Sequence, residues 1–362
     1  MGETSINTLL KKAVELKASD IHCISDDVPS FRIDGNIVKI KTKPMTEQDI
    51  NAAIEKMAPS SMRDTISYSY DFDFPYEIEN LARFRVNVAM SFGRRVMTIR
   101  IIPYNIATFD ILNLPPMIEK FTHFDNGIVL VTGVAGSGKS TTIAALLNHI
   151  NNNFRKHIIT IEDPIEYVYK SKKSILTQRQ IGIDTPNYID GIKFALRQDP
   201  NVILIGEIRD KETVESALHA AETGHLIFAT LHTFNAVQTI NRILSFFNPN
   251  EREMIRSQFA EVFRGSISQK LLPQANGIGR IPATEILFST PTIKDFMKKD
   301  ELEEIYKLVQ KGGYDNMLTF NQSLYHLVKN HLITEEVALA HSDNEIELKH
   351  YIGGVYSGSE VF

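Results

Sequence analysis

Along residues 6–18, INTLLKKAVELKA, the apolar positions Ile6, Leu9, Leu10, Ala13, Val14 and Leu16 fall mostly at the spacing of one helical face. The pattern then shortens. DIHCI, SFRID and NIVKI each alternate over a few residues, as half-buried strands do, and Asp34-Gly35 between the last two is a hairpin signal. A second helix fits 46–58, and strands fit 68–74, 81–91 and 95–102. Residues 1–102 therefore read as an α+β domain dominated by antiparallel strands.

Residues 103–126 carry three prolines and little strand pattern, which predicts a linker followed by a short lead-in helix, with the hinge at 103–120. From 127 the pattern changes. GIVLVTG is a continuous apolar strand, of the kind buried on both faces, and a glycine-rich turn and a helix follow at once. Further apolar strands at 157–161 (HIITI), 202–205 (VILI) and 226–231 (LIFATL) alternate with helical stretches. Such alternation is the mark of an α/β domain with a mainly parallel sheet, here 121–362, with a helical C-terminal region from about 288. The chain shows no internal repeats or low-complexity segments.

A length of 362 residues suits two such domains, and 43% hydrophobic with 23% charged residues is ordinary for a globular chain. The net charge of −5 argues against a nucleic-acid partner, which would be met by a basic excess. Cys23 is the only cysteine, so neither an intrachain disulfide nor a cysteine-based zinc cluster can form. The opening MGETSINTLLKKAVELKASD lacks a signal peptide's apolar stretch, and no apolar run approaches the ~20 residues that span a bilayer. The expectation is a cytoplasmic protein without direct membrane insertion.

The chemistry starts at residues 133–140, GVAGSGKS, which match G-x-x-x-x-G-K-[ST] between a strand and the helix STTIAALLNHI. Gly133, Gly136 and Gly138 let the loop curl so that its N–H groups, with those of Ser137 and Thr141, converge on phosphates. Lys139 supplies a point charge to the β and γ oxygens and Ser140 a hydroxyl for magnesium, at the positive end of a helix dipole.

Two acidic clusters follow strands: IEDPIE at 161–166 after HIITI, and GEIRD at 206–210 after VILI. In an open parallel sheet both lie at carboxyl ends, where the ligand crevice forms. One acid must orient the metal and another take the proton of the attacking water. Glu207 stands alone where the usual motif has Asp-Glu, Gly206 occupying the aspartate's place, with Glu162, Asp163 and Glu166 nearby. In GHLIFATLHT, His225 precedes a strand and His232 ends it, beside Thr230 and Thr233. A histidine at that end can bond a γ-phosphate, although a lone histidine is more often a satisfied core residue.

Together GVAGSGKST, TIEDPIEYV, DPNVILIGEIRD and AETGHLIFATLHT resemble, in order and spacing, the secretion ATPase superfamily, whose members power type IV pili, type II secretion and some conjugation systems. That family calls the segments Walker A, Asp box, Walker B and His box, and its Walker B normally has glycine before the glutamate, as at Gly206. The resemblance runs from ASDIH at 18–22 to the segment TFNQSLYHLVKNHLITEEVALAHS at 319–342. It is nearest the twitching-motility or retraction branch, the PilT and PilU group. Three features carry that: no extra domain ahead of ASDIH, no tetracysteine element, and GYDNMLTF at 313–320. Residues 289–301, STPTIKDFMKKDE, keep the branch's turn but not its AIRNLIRE signature, leaving open whether this is a main motor or an accessory paralogue.

The resemblance implies a PAS-like domain followed by a RecA-like one, with ATP and Mg2+ as ligands. It makes Lys139 and Ser140 the phosphate and magnesium holders and Glu166 the general base. Glu207 positions the metal or its water, and His232 senses phosphate state, with His225 as a second candidate. Arg83, Arg85, Arg95 and Arg100 approach a nucleotide across a subunit boundary; each could equally be a surface strand arginine. Implied too is a homo-hexameric ring at the cytoplasmic face of the inner membrane that drives pilus retraction. Its partners would be a platform protein and a paralogous retraction ATPase. A pilus assembly or type II secretion ATPase, an ATP-binding ring component without useful turnover, and a RecA-like DNA-handling ATPase are the rival readings. Acidic balance and the lack of a basic, aromatic-bearing stretch count against the last.

Overall fold

In a computed structural model of the chain, residues 6–33, 35–62, 66, 69–79, 81–102, 106–311 and 317–354 are described. Asp34 of the hairpin signal, residue 68 of an expected strand, residues 103–105 of the linker and 313–316 of the tail motif lie outside them. The chain divides into two compact units, Met1–Asn105 and Ile106–Phe362.

In the first unit, helix α1 (Ile6–Glu15) leads into β1 (Asp20–Cys23), β2 (Ser30–Ile33) and β3 (Asn36–Lys39). Helix α2 (Glu47–Met57) follows, then β4 (Phe72–Ile78), β5 (Ala82–Ser91) and β6 (Arg94–Ile102). The described strands form one antiparallel sheet in the order β3-β2-β1-β6-β5-β4. Period-two alternation decides its faces. On β5, Ala82, Phe84, Val86 and Val88 are buried with Leu10, Ile21, Phe31 and Ile50, while Arg83, Arg85 and Asn87 point the other way. Thr46 starts α2 with a capping box, its hydroxyl taking the Asp49 N–H while the Asp49 carboxylate takes the Thr46 N–H.

The second unit opens with a 3-10 helix, Pro116–His123, then β7 (Gly127–Thr132), α3 (Lys139–Asn153), β8 (His157–Glu162) and β9 (Ile175–Gln180). It continues with α4 (Tyr188–Ala195), β10 (Val202–Ile205), α5 (Lys211–Glu222) and β11 (Leu226–Leu231). Next come α6 (Ala236–Ser245), α7 (Arg252–Val262), β12 (Phe263–Pro273) and β13 (Arg280–Phe288). The sheet order is β13-β12-β7-β11-β10-β8-β9, parallel throughout except for the β12–β13 pair. Every residue of β7, β10 and β11 is buried, as expected of parallel strands covered on both faces. Helices α8 (Pro291–Lys299), α9 (Leu302–Gln310), α10 (Phe320–Lys329), α11 (Glu335–His341) and α12 (Glu345–Ile352) make up the tail. Thr290, Thr319, Thr334 and Asn344 cap four of them.

Two features depart from the sequence reading. The sequence pattern does not mark β9, β12 or β13: β9 is polar after Ile175 and Leu176, β12 buries Ser266, Ser268 and Gln269 among its apolar residues, and β13 buries Thr284 and Glu285 within its run. The segment expected to serve as a hinge is also committed early. Leu114, Met117 and Ile118 of that segment are buried in the second unit's core, continuous with Phe121 just beyond it, which stacks on Phe288 with ring centroids 4.4 Å apart. No helix among the described residues is long and apolar enough to cross a membrane.

Candidate nucleotide-binding and hydrolysis site

Strands β7, β8, β10 and β11 end side by side, and their C-terminal ends frame one cleft in the second unit. The glycine-rich loop leaves β7 there. Gly133 and Gly138 adopt φ of 145° and 93°. A β-carbon on Gly133 would lie 2.4 Å from the Gln269 carbonyl, and one on Gly138 2.6 Å from Gln269 Nε2. Backbone conformation therefore requires glycine at both places, and at Gly133 the close approach of the β12 backbone requires it as well. Gln269 also accepts the Thr142 hydroxyl at 2.7 Å, so β12 braces the loop and the helix that follows it.

Lys139 is buried at the loop's end. Its ammonium donates to the carbonyls of Gly133 (2.7 Å) and Val134 (2.9 Å) and lies 3.5 Å from His232 Nδ1. Desolvation lowers its pKa, against the pull of Glu207 and Glu166. Ser140 lines the cleft with Gly136. Thr141 meets the Tyr167 hydroxyl at 2.8 Å, and Ser137 is turned into the loop's interior.

The acids take different postures. Glu162 ends β8 inside the protein, where burial pushes its carboxyl up to about 7. It accepts the Thr160 hydroxyl (2.6 Å) and the Glu166 N–H (3.4 Å). Glu166 and Asp163 are exposed on the cleft wall. Glu207 is clasped: Oε2 lies 2.7 Å from the Arg209 guanidinium and Oε1 3.3 Å from His232 Nε2. His232 thus bridges Lys139 and Glu207, tying the first strand's loop to the acid of β10.

Gly206 answers to space, since its φ is not positive. A β-carbon there would come within 3.0 Å of the Tyr188 hydroxyl, 3.2 Å of the Ile161 carbonyl and 3.3 Å of Glu162 Cα. The Gly206 N–H donates to Ile161 at 2.8 Å and its carbonyl accepts Thr230 at 2.5 Å, pinning β8, β10 and β11 together. An aspartate at 206 would have to displace that packing.

Not every candidate reaches the cleft. His225 precedes β11, at the end of the sheet opposite His232, and its ring is engaged by the Ala220 carbonyl at 2.9 Å and by Thr223. The strand's own length thus separates His225 from the phosphate loop of its own chain. Arg83, Arg85 and Arg100 lie on the outward face of the first unit's sheet, Arg85 directly opposite Arg100. Arg85 pairs with Asp73 (3.3 Å) and Arg100 with Asp20 (2.9 Å). Arg95 differs: it donates to the Ile66 carbonyl at 2.5 Å and covers the Phe72 ring.

Sequence reasoning passed over Arg209, Tyr167, Tyr188 and Gln269. Arg209 stands two residues after Glu207, a signal that was available. Gln269 is distant in the chain and has none.

A parallel sheet with a glycine loop after its first strand, acids at two neighbouring strand ends and a bridging histidine define a P-loop nucleotide-binding protein of RecA-like type. More narrowly, the chain belongs to the type II/IV secretion system protein family, whose profile matches residues 2–340. It is 39% identical over 333 residues to the type IV pilus retractation ATPase PilT of Pseudomonas aeruginosa, covering 92% of this chain and 96% of that one. A twitching motility protein of Neisseria gonorrhoeae is 39% identical over 341 residues, covering 94% and 91%. The crystal structure of the pilus retraction motor PilT with bound ADP superposes with a TM-score of 0.90 at 42% identity, covering 96% of this chain and 100% of that one. The resemblance carried by the four motifs thus extends along the whole chain, and the fold agrees.

Proposed function

We propose that this chain is an ATP-hydrolysing motor that retracts a type IV pilus and so powers twitching motility. It works as a homo-hexameric ring on an inner-membrane platform protein, from the cytoplasmic side. The observation that supports this most is the convergence of Lys139, Glu166, Glu207 and His232 on one cleft, in a chain akin along its length to retraction ATPases.

In this reading the loop N–H groups and Lys139 hold the β and γ phosphates, where partial desolvation strengthens each contact. The site's donors are hard oxygens, Ser140 and the carboxylate of Glu207, which fit magnesium. Bound magnesium would neutralise charge on the phosphate oxygens. Glu166, exposed in the cleft, takes the proton of the attacking water. Glu162 is a positioning residue: it holds the Glu166 backbone and so aims the Asp-box turn. His232, touching both Lys139 and Glu207, reports whether a γ-phosphate is present. We assign any role toward a neighbouring copy's nucleotide to Arg83, Arg85 and Arg100; Arg95 serves its own fold.

ATP turnover and ATP binding by the purified chain test this. Glu166→Gln should retain ATP binding and lose turnover by roughly a hundredfold or more, while Lys139→Ala should lose both. Wild-type turnover in Glu166→Gln would remove Glu166 as the base.

A further inference from the structure

Away from the cleft, three side chains of the second unit point at one another without hydrogen bonding. Glu119 and His123 stand one turn apart on the 3-10 helix Pro116–His123, and His149 faces them from α3, the helix behind the phosphate loop. Glu119 Oε1 lies 3.7 Å from His123 Nε2 and 3.6 Å from His149 Nε2. Both separations are too long for hydrogen bonds. All three potential ligand atoms lie within 4.8 Å of one another.

We propose that Glu119, His123 and His149 form a binding site for a divalent transition-metal ion of the zinc class. Bonds of about 2.0–2.1 Å at tetrahedral angles place ligand atoms roughly 3.3 Å apart. The two edges to Glu119 already approach that separation, so a metal needs only small side-chain movements to close them. Two imidazoles with one carboxylate select zinc, cobalt, nickel or copper over magnesium and calcium. The rings are held in place from behind. His149 stacks on Phe109 with centroids 5.3 Å apart, and His123 meets Phe154 edge-on at 5.2 Å. Thr122 fastens the same turn by donating to the Glu119 carbonyl at 2.7 Å. The side chains of Glu119 and His123 are 51% and 56% exposed, which leaves water access for a fourth position. A bound ion would clip the segment that opens the second unit to the helix that follows the phosphate loop.

Zinc uptake by the full, nucleotide-free chain against a chromophoric chelator tests the site, with Zn2+ alone as the probe. Wild type should take up an equivalent that His123→Ala and Glu119→Gln lose, or hold roughly tenfold or more weakly. His232→Ala, altered only in the cleft, should keep it. Zinc should also raise the melting temperature of wild type, reversibly with EDTA, and raise it less in the two variants. Circular dichroism of each variant checks that it folds. No uptake by wild type, or the same uptake and affinity in His123→Ala and Glu119→Gln, overturns the proposal.

Discussion

A carboxylate's behaviour in this protein is set by how much water it retains. Glu285 on β13 is fully enclosed and accepts the Ala236 N–H at 2.6 Å, at the start of α6. Burial pushes it up to about 7, helped by nearby Asp343 and opposed by that N–H and Lys270. A carboxyl raised in the folded state contributes its full stability below the unfolded value near 4.5. That contribution shrinks as pH climbs from there to about 7 and is gone above. Glu285→Gln keeps an acceptor for Ala236 without the charge. It should therefore melt above wild type at pH 8 by a few degrees, with the gap closing at pH 5. Thermal melts across pH decide it. At Gly206 the constraint is room rather than charge. Gly206→Ala should destabilise the second unit by about 1–3 kcal/mol through overpacking, and should lower ATP turnover because Glu207 is the next residue. Denaturant unfolding beside turnover measures both. An unaltered variant would mean that Tyr188 and β8 yield more easily than their packing suggests.

The same contrast between burial and exposure governs which elements could be read from the sequence. Strands β7, β10 and β11 were legible because continuous apolar runs survive burial on both faces. The helices were legible through their periodicity, and the phosphate loop through its motif. β12 was not, because it serves two masters. Its Ser268 receives the Thr132 hydroxyl at 3.0 Å, and its Gln269 abuts the loop. Those polar residues interrupt the apolar run that would have marked the strand. Its support of the loop is testable: Gln269→Ala should weaken ATP binding several-fold while leaving the fold intact, read as a raised KM. The lead-in segment reads in sequence as a linker with a short helix ahead of the second domain; its last linker residues Leu114, Met117 and Ile118 are buried, and Phe121 beyond them is wedged on Phe288. Phe121→Ala should cost about 3–5 kcal/mol, measured by denaturant unfolding. A cost under about 1 kcal/mol, the range of surface changes, would mean that Phe121 contributes little to the core.

For the whole molecule, residues and relatives carry different parts of the account. Local chemistry predicted a nucleotide cleft at strand ends, and the structure gathers Lys139, Glu166, Glu207 and His232 there. It could not place His225, because a strand's two ends look alike in sequence while its length carries them to opposite edges of the sheet. Nor could residues alone give the direction of a motor, since assembly and retraction use the same phosphate chemistry. That direction is inherited from likeness to retraction ATPases. The most direct measurement is made in the source cell: replace Lys139 with Ala, count surface pili and follow surface motility. The account predicts pili in excess with twitching lost, because extension continues unopposed. Bald cells would make the chain an assembly motor, and unchanged pili and motility would contradict a retraction role.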